Sequence, residues 1–342
     1  MGLKPRKSPA EGEFLFELDE QPLEETVTAL GGVPLFVRAV RSLDVPGSVK
    51  RRLHLKQRER GFDEATYVES FLVLNAVGGD CVEDFERLQE DPGLAEMLGH
   101  EVPSPAAALK FLYRFHDASA IEQAQQELPV GQVSYIPAEN EPLRALAQVN
   151  QDVVQELGRR CPDQKIATVD LDATVIESWK REAKATYEGG SGYQPMVALW
   201  AEMKVVVAEE FRDGNVPTNL WDWRPKRLLE WHREKAGTIE AVHDVLKNEL
   251  AGGVLPCGRY GANAAWFRLA VITYNVLTAM KRLVLPAVLQ TARPKRLRFL
   301  IFQQSGKLIH HARQTVWRLA RTWNRFWNWK QAMEVLVLPA PA

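Results

Sequence analysis

Residues 166–178 read IATVDLDATVIES, a β-branched stretch in which apolar and polar positions alternate. YQPMVALWAE (193–202) and KVVVAEEFRDGN (204–215) follow at short spacing. This texture predicts three consecutive strands joined by tight turns, an antiparallel meander. Residues two apart on a strand share a face, so Asp170 and Asp172 project together and the β-branched neighbours are expected to bury the other face. Two carboxylates side by side in a partly buried strand repel each other unless a cation or a hydrogen-bond donor compensates. Hard divalent cations take oxygen ligands, and Mg²⁺ is commonly held by one or two carboxylates plus substrate phosphates. A strand edge with both acids in water is the plainer reading of the same residues.

Downstream, TIEAVHDVLK (238–247) predicts a helix with Glu240, His243 and Lys247 at i, i+3 and i+7, on one face. Glu240 there could complete a metal site, with Lys247 touching phosphate; a solvated stripe of charge is the alternative. His243 reads as a structural histidine rather than a ligand. Upstream, residues 26–120 predict short helices, with Asp63 capping one of them and Gly78–Gly79 ending it. Ser104 and Pro105 open another, residues 121–143 read as loop, and residues 140–160 form an amphipathic helix. The tetrad Arg51, Arg52, Lys56 and Arg58 reads as a solvated face or a phosphate-contacting one.

The chain has 342 residues, enough for two or three domains, with 46% hydrophobic and 25% charged residues. That composition excludes wholesale disorder. No apolar run is long enough to span a membrane, and the basic N-terminal residues have no apolar segment behind them, so no signal peptide is expected. Three widely spaced cysteines fit neither a disulfide framework nor a zinc site and point to a reducing cytoplasm.

The net charge of −1 conceals an asymmetry: residues 281–330 hold 12 Lys or Arg and no Asp or Glu, leaving 31 basic against 44 acidic residues elsewhere. Arg313, Trp317, Arg318, Arg321, Trp323, Arg325, Phe326, Trp327, Trp329 and Lys330 interleave charge with aromatic rings, and residues 308–330 are read as a last amphipathic basic helix. This is the electrostatic footprint of a nucleic-acid binder; a membrane-surface helix or core packing are the rival readings. No P-loop, no G-x-G-x-x-G and no G-x-S-x-G is present. The adjacent His310 and His311, read as helical, point about 100° apart and cannot easily clamp one metal.

Taken in order, these pieces resemble the DDE transposases of bacterial insertion sequences, over roughly residues 30–320. GGDCVEDFERLQED and SPAAALKFLYRF are similar to the helical region before the catalytic domain. TVDLDATVIES, GYQPMVALWAE and VVAEEFRDGNVPTN match the core, and WHREKAGTIEAVHDVLKNEL and LPCGRYGANAAWFRLAVITYNVLTAMKRL match the closing segment. Asp-x-Asp-x-Thr alone also occurs in haloacid-dehalogenase phosphatases; the ordered set is the specific signal. The resemblance implies three acids holding two divalent ions, Mg²⁺ or Mn²⁺. Asp172 matches the first acid, with Asp170 second choice, and Glu240 matches the last. Trp231, Arg233, Glu240 and Lys247 resemble a Tyr-Arg-Glu-Lys pattern, with Trp in place of Tyr and a longer interval between Arg and Glu. Arg212 and Asn215 match the turn after the third strand.

The chain departs from the family where the second Asp is expected. Only 11 residues, LWDWRPKRLLE, separate Asn219 from Trp231, too few for the fourth strand and its insertion; Asp213 and Asp222 are the nearest acids. The expected fold is therefore α/β, a truncated ribonuclease H-like core (161–280) between an N-terminal helical domain (26–160) and a basic helical region (281–342), after an extended lead-in (1–25). The expected function is transposition by metal-dependent cleavage and transfer of double-stranded DNA at the element's ends. The alternative is an internally deleted remnant that only binds DNA, through Arg212, Asn215, Arg233, Arg313, Arg318, Arg321 and Arg325. The resemblance further implies a homodimer in the cytoplasm, at the nucleoid, with no membrane and no small organic cofactor.

Overall fold

A computed structural model describes residues 25–56, 61–130, 136–186, 188–214, 239–311, 314–320 and 329–339. After a short strand β1 (Val27–Thr28) come eight helices: α1 (Val33–Ser42), α2 (Val45–Arg52), α3 (Glu64–Val77), α4 (Phe85–Gln89), α5 (Pro92–Leu98), α6 (Pro105–Tyr113), α7 (Ala118–Gln126) and α8 (Glu141–Arg160). Three of these starts, those of α3, α6 and α8, fall where the sequence marks them. Asp63 Oδ1 accepts from the Thr66 amide at 2.7 Å, Ser104 Oγ from Ala107 at 3.3 Å and Asn140 Oδ1 from Leu143 at 3.0 Å, satisfying donors that a first turn leaves open. Gly78 ends α3 at φ 101°, a left-handed conformation that favours glycine. Helix α7 corrects the reading of 121–143 as loop: Asp117 caps it through the Ser119 and Ala120 amides, and its Ala, Glu and Gln residues sustain the helix.

The antiparallel meander is present. Strand β6 (Met196–Trp200) lies between β2 (Val169–Ala173) and β7 (Val205–Glu210). A second small sheet interrupts it: β3 (Ile176–Glu177) and β5 (Gly190–Tyr193) extend β2 and β6, and β4 (Lys184–Thr186) pairs with the far side of β5. The break falls at Pro195, which has no N–H to give the ladder; Thr174 donates its amide to the Pro195 carbonyl at 3.1 Å.

Register decides which way the acids face. Asp170 pairs with Leu199 and Asp172 with Val197, both fully buried. Residues directly opposite stand on the same face, so the two acids share the inner face of the sheet. On the outer face Val169 is 52% and Leu171 51% exposed. This reverses the expectation that the neighbours of the acids bury. The core is formed by Val197 and Leu199 of β6, and β2 must place the residues opposite them on the core side, whatever their polarity.

Helix α9 (Ile239–Asn248) precedes the long α10 (Tyr260–Val284), followed by α11 (Ala287–Gln290) and α12 (Pro294–Leu297). Residues 260–280 of α10 are all buried, and α1, α3, α6, α8 and β7 pack around them. A helix covered on every side belongs to a core. Trp266 meets Phe71 of α3 edge-on at 5.9 Å. Asn275 accepts from the Val206 amide at 2.8 Å and donates to the Val206 carbonyl at 2.8 Å and to Asn150 Oδ1 at 2.7 Å. One side chain thus ties β7 to α8 and α10. Buried Arg268 pairs with Glu209 of β7 and, at 2.6 Å, with Glu139. The buried apolar cluster runs from Val33 to Leu336.

The C-terminal part corrects another expectation. Residues 308–311 and 314–319 are not helical but lie in an antiparallel ribbon, β8 (Gly306–His311) and β9 (Gln314–Leu319), with β8 also paired to β1. The basic region is therefore only partly helical. Ile309, Thr315 and Val316 are β-branched and suit the pleat, and Leu308 opposite Trp317 gives the ribbon an apolar inner side. Trp317 in turn meets Trp329 of α13 (Trp329–Val335) edge-on at 4.8 Å.

Candidate functional site

The inner face of β2 and one face of α9 meet at Asp172 with His243, and at the end of the strand, where Thr174 and Val175 meet Lys247. Helix α9 buries Ile239, Val242, Val245 and Leu246, the apolar stripe that sets its rotation. That rotation turns His243 inward and leaves Glu240 and Lys247 half-buried. Lys247 Nζ donates to the Val175 carbonyl at 2.7 Å and to Thr174 Oγ1 at 3.4 Å. Helix and strand are thereby fixed to each other at the end of β2, by the threonine of the Asp-x-Asp-x-Thr string.

Asp172 Oδ2 stands 3.6 Å from His243 Nε2, with the Asp172 side chain 39% exposed. His243 itself is 5% exposed, and neither ring nitrogen has a hydrogen-bond partner among the described residues. Sequence reasoning set His243 aside because a histidine on an apolar helix face usually packs; its i+3 position from Glu240 was the signal that marked it.

The donor chemistry fits a divalent cation. Two half-buried carboxylates share one strand face, a third lies on α9, and a buried imidazole has an unpaired nitrogen at Asp172. Asp170, Asp172 and Glu240 do not draw together as tightly as Asp80, Cys81 and Asp84, the group among the described residues whose ligand atoms all lie within 4.8 Å of one another. That group is a helix cap: Asp84 Oδ2 accepts from the amides of Asp80 at 2.9 Å and Cys81 at 3.4 Å.

The acids considered as substitutes for the missing one lie elsewhere. Asp213 is fully buried and bridges to Tyr193; burial pushes its carboxyl up to about 7, against the stabilising Gly214 amide and the Lys184 charge. Asp222 lies outside the described residues, as do Asn215, Arg233, Arg313, Arg321 and Arg325 and the whole 220–230 segment. Arg212 folds back on Glu210 and approaches Met196 Sδ at 3.3 Å.

In the upstream tetrad, Arg51 pairs with Asp44 at 2.8 Å and Arg52 with Asp152 at 2.8 Å, and Lys56 bonds the Gly61 carbonyl at 2.9 Å. Of these, only Arg52 joins two helices, α2 and α8; the Arg51 and Lys56 contacts are local and exposed. Arg318 is exposed on β9, directly opposite Lys307. No helix among the described residues is long and apolar enough to cross a membrane.

Comparison with known proteins gives one match. The family described as transposase DDE domain group 1 matches residues 216–337. Glu240 and Lys247 lie inside that span, and Asp170 and Asp172 before it. No curated protein and no solved structure matches the chain.

Proposed function

We propose that this chain, which belongs to the DDE transposases, binds the ends of an insertion sequence and cuts and transfers their strands. The observation that carries this reading is the inward pair Asp170 and Asp172 facing the Glu240–Lys247 face of α9, inside a chain whose next segment matches the transposase domain. The β2–β6–β7 meander supports the ribonuclease H-like reading of the core. Asp172, Asp170 and Glu240 would hold the divalent ions, Mg²⁺ or Mn²⁺, which when bound supply Lewis-acid charge at the scissile phosphate. The protein's own task is positioning. Lys247 holds α9 against the end of β2, so that the helix acid and the strand acids stay in register.

DNA contact falls to the basic C-terminal part. Register puts Lys307, Ile309 and His311 of β8 on one face with Arg318, Val316 and Gln314 of β9. A two-stranded ribbon of this kind fits the major groove, and the lack of acids over residues 281–330 favours phosphate contact. A homodimer acting across two ends completes the reading.

The test is cleavage of labelled DNA carrying the element's ends, with and without Mg²⁺ or Mn²⁺. Metal-dependent nicking is expected, falling roughly 10³-fold or more in Asp172→Ala. Binding without nicking by the unaltered chain would overturn the catalytic reading and leave a DNA-binding remnant.

A further inference from the structure

His243 has an environment that helix packing alone does not explain. It lies on α9 between Glu240 and Lys247, almost wholly buried, and both ring nitrogens are without a hydrogen-bond partner among the described residues. A buried polar atom left unpaired is costly, and His243 is the residue among the described ones with two such atoms on one side chain. The atom facing Nε2 is Asp172 Oδ2, at 3.6 Å. That is too long for a hydrogen bond. It is a separation that two atoms ligating one ion can have: bonds of about 2.0–2.2 Å, opened between roughly 90° and 120°, put the two donors about 2.8–3.8 Å apart. The half-exposed Asp172 gives an ion access from solvent, while the imidazole closes the inner side.

The helix adds a second argument. Glu240 and His243 form a Glu-x-x-His pair, the i, i+3 spacing that lets a carboxylate and an imidazole on one helix serve the same metal centre. The apolar stripe of α9 fixes the rotation that turns His243 toward Asp172 of β2, independently of any metal.

We infer that His243 is a ligand of the ion held at Asp172, through Nε2, so that the site is a mixed carboxylate–imidazole site rather than one of oxygen alone. The inference rests on Asp172 being a metal-binding residue, as in the function proposed above. It has a chemical consequence. Imidazole nitrogen suits transition metals, whereas Mg²⁺ keeps to oxygen. His243 therefore shifts the site's preference away from Mg²⁺ and toward Mn²⁺.

The experiment is Mn²⁺ titration of the full chain without DNA, followed by electron paramagnetic resonance, with Mg²⁺ as competitor, on the unaltered chain, His243→Gln and Asp172→Asn. Asp172→Asn is expected to lose the site. His243→Gln is expected to weaken Mn²⁺ about tenfold or more while Mg²⁺ changes far less, so that the preference collapses. An unchanged preference in His243→Gln, with binding lost in Asp172→Asn, overturns the inference and leaves the proposed function standing. Unchanged Mn²⁺ binding in both variants overturns both. Because a buried substitution can disturb folding, the unaltered chain is also examined with Mn²⁺ bound, by electron spin-echo envelope modulation. Coupling to a directly coordinated imidazole ¹⁴N is expected, and its absence overturns the inference irrespective of the variants.

Discussion

The body around α10 and the inner face of β2 are neighbours built on opposite terms. Along α10, Asn275 and Arg268 are buried, but each has partners on facing elements, and the aromatic contacts around Trp266 close the remaining space. At β2 the acids turn toward the core, apolar Val169 and Leu171 face solvent, and His243 is buried with unpaired nitrogens. One region is arranged for stability. The other accepts local cost, which is the pattern expected where binding or chemistry is done.

The largest expected effect tests the first half of that contrast. Phe71→Ala removes a fully buried ring that meets Trp266, Phe85 and Phe111. Denaturant unfolding should show a loss of about 3–5 kcal/mol. Asp172→Ala, by contrast, should stay within about 1 kcal/mol of the parent, because its partly exposed side chain removes far less area from water than the Phe71 ring. If Asp172→Ala costs as much as Phe71→Ala, the two regions are not built differently.

Next in size is Asp213, which is buried like a body residue yet carries a strained charge. Its folded carboxyl lies at about 7 against an ordinary 3.8, because burial disfavours the charged form. The folded protein then binds the proton more tightly than the unfolded chain. Stability is fullest below about 4, declines as pH rises from about 4 to 7, and stays low above that. Asp213→Asn keeps an oxygen for the Gly214 amide and should gain on the order of 2 kcal/mol over the parent at pH 8. Melting curves at pH 5 and pH 8 check this, and a gain that is equal at both would place the cause outside this carboxyl.

The smallest effect sharpens the local side of the picture. Asp63→Ala removes the cap that receives the Thr66 amide and should cost about 1 kcal/mol, without altering Mn²⁺ binding. A change in metal affinity there would mean that α3 and the β2–α9 site are coupled.

What could be read from the sequence follows the range of the forces involved. Asp63, Ser104 and Asn140 cap their helices because an N-cap is settled within four residues, and Gly78 ends α3 for the same reason. The meander was legible from alternation and short turns. The split at Pro195 was not expected, although the residue that causes it was visible. The helix expected over 308–330 gives way to strands at 308–311 and 314–319: basic and aromatic residues at mixed spacing satisfy a helical pattern, while pairing with β1, almost the whole chain away, decides the outcome. Lys247 was expected at phosphate, and here it bonds the end of β2. His243 was set aside because burial of a histidine is common and its missing partners are invisible without neighbours.

The sequence by itself determined the helices with their caps, the three meander strands, the charge asymmetry and the shared face of Asp170 and Asp172, since each depends on residues a few positions apart. Only the tertiary structure decided that this face points inward, that α9 brings His243 within 3.6 Å of Asp172, and that residues 306–311 and 314–319 pair as a ribbon. Those outcomes depend on which elements share the core around α10, and packing between distant segments is a property of the whole chain, fixed by register and buried area rather than by local spacing.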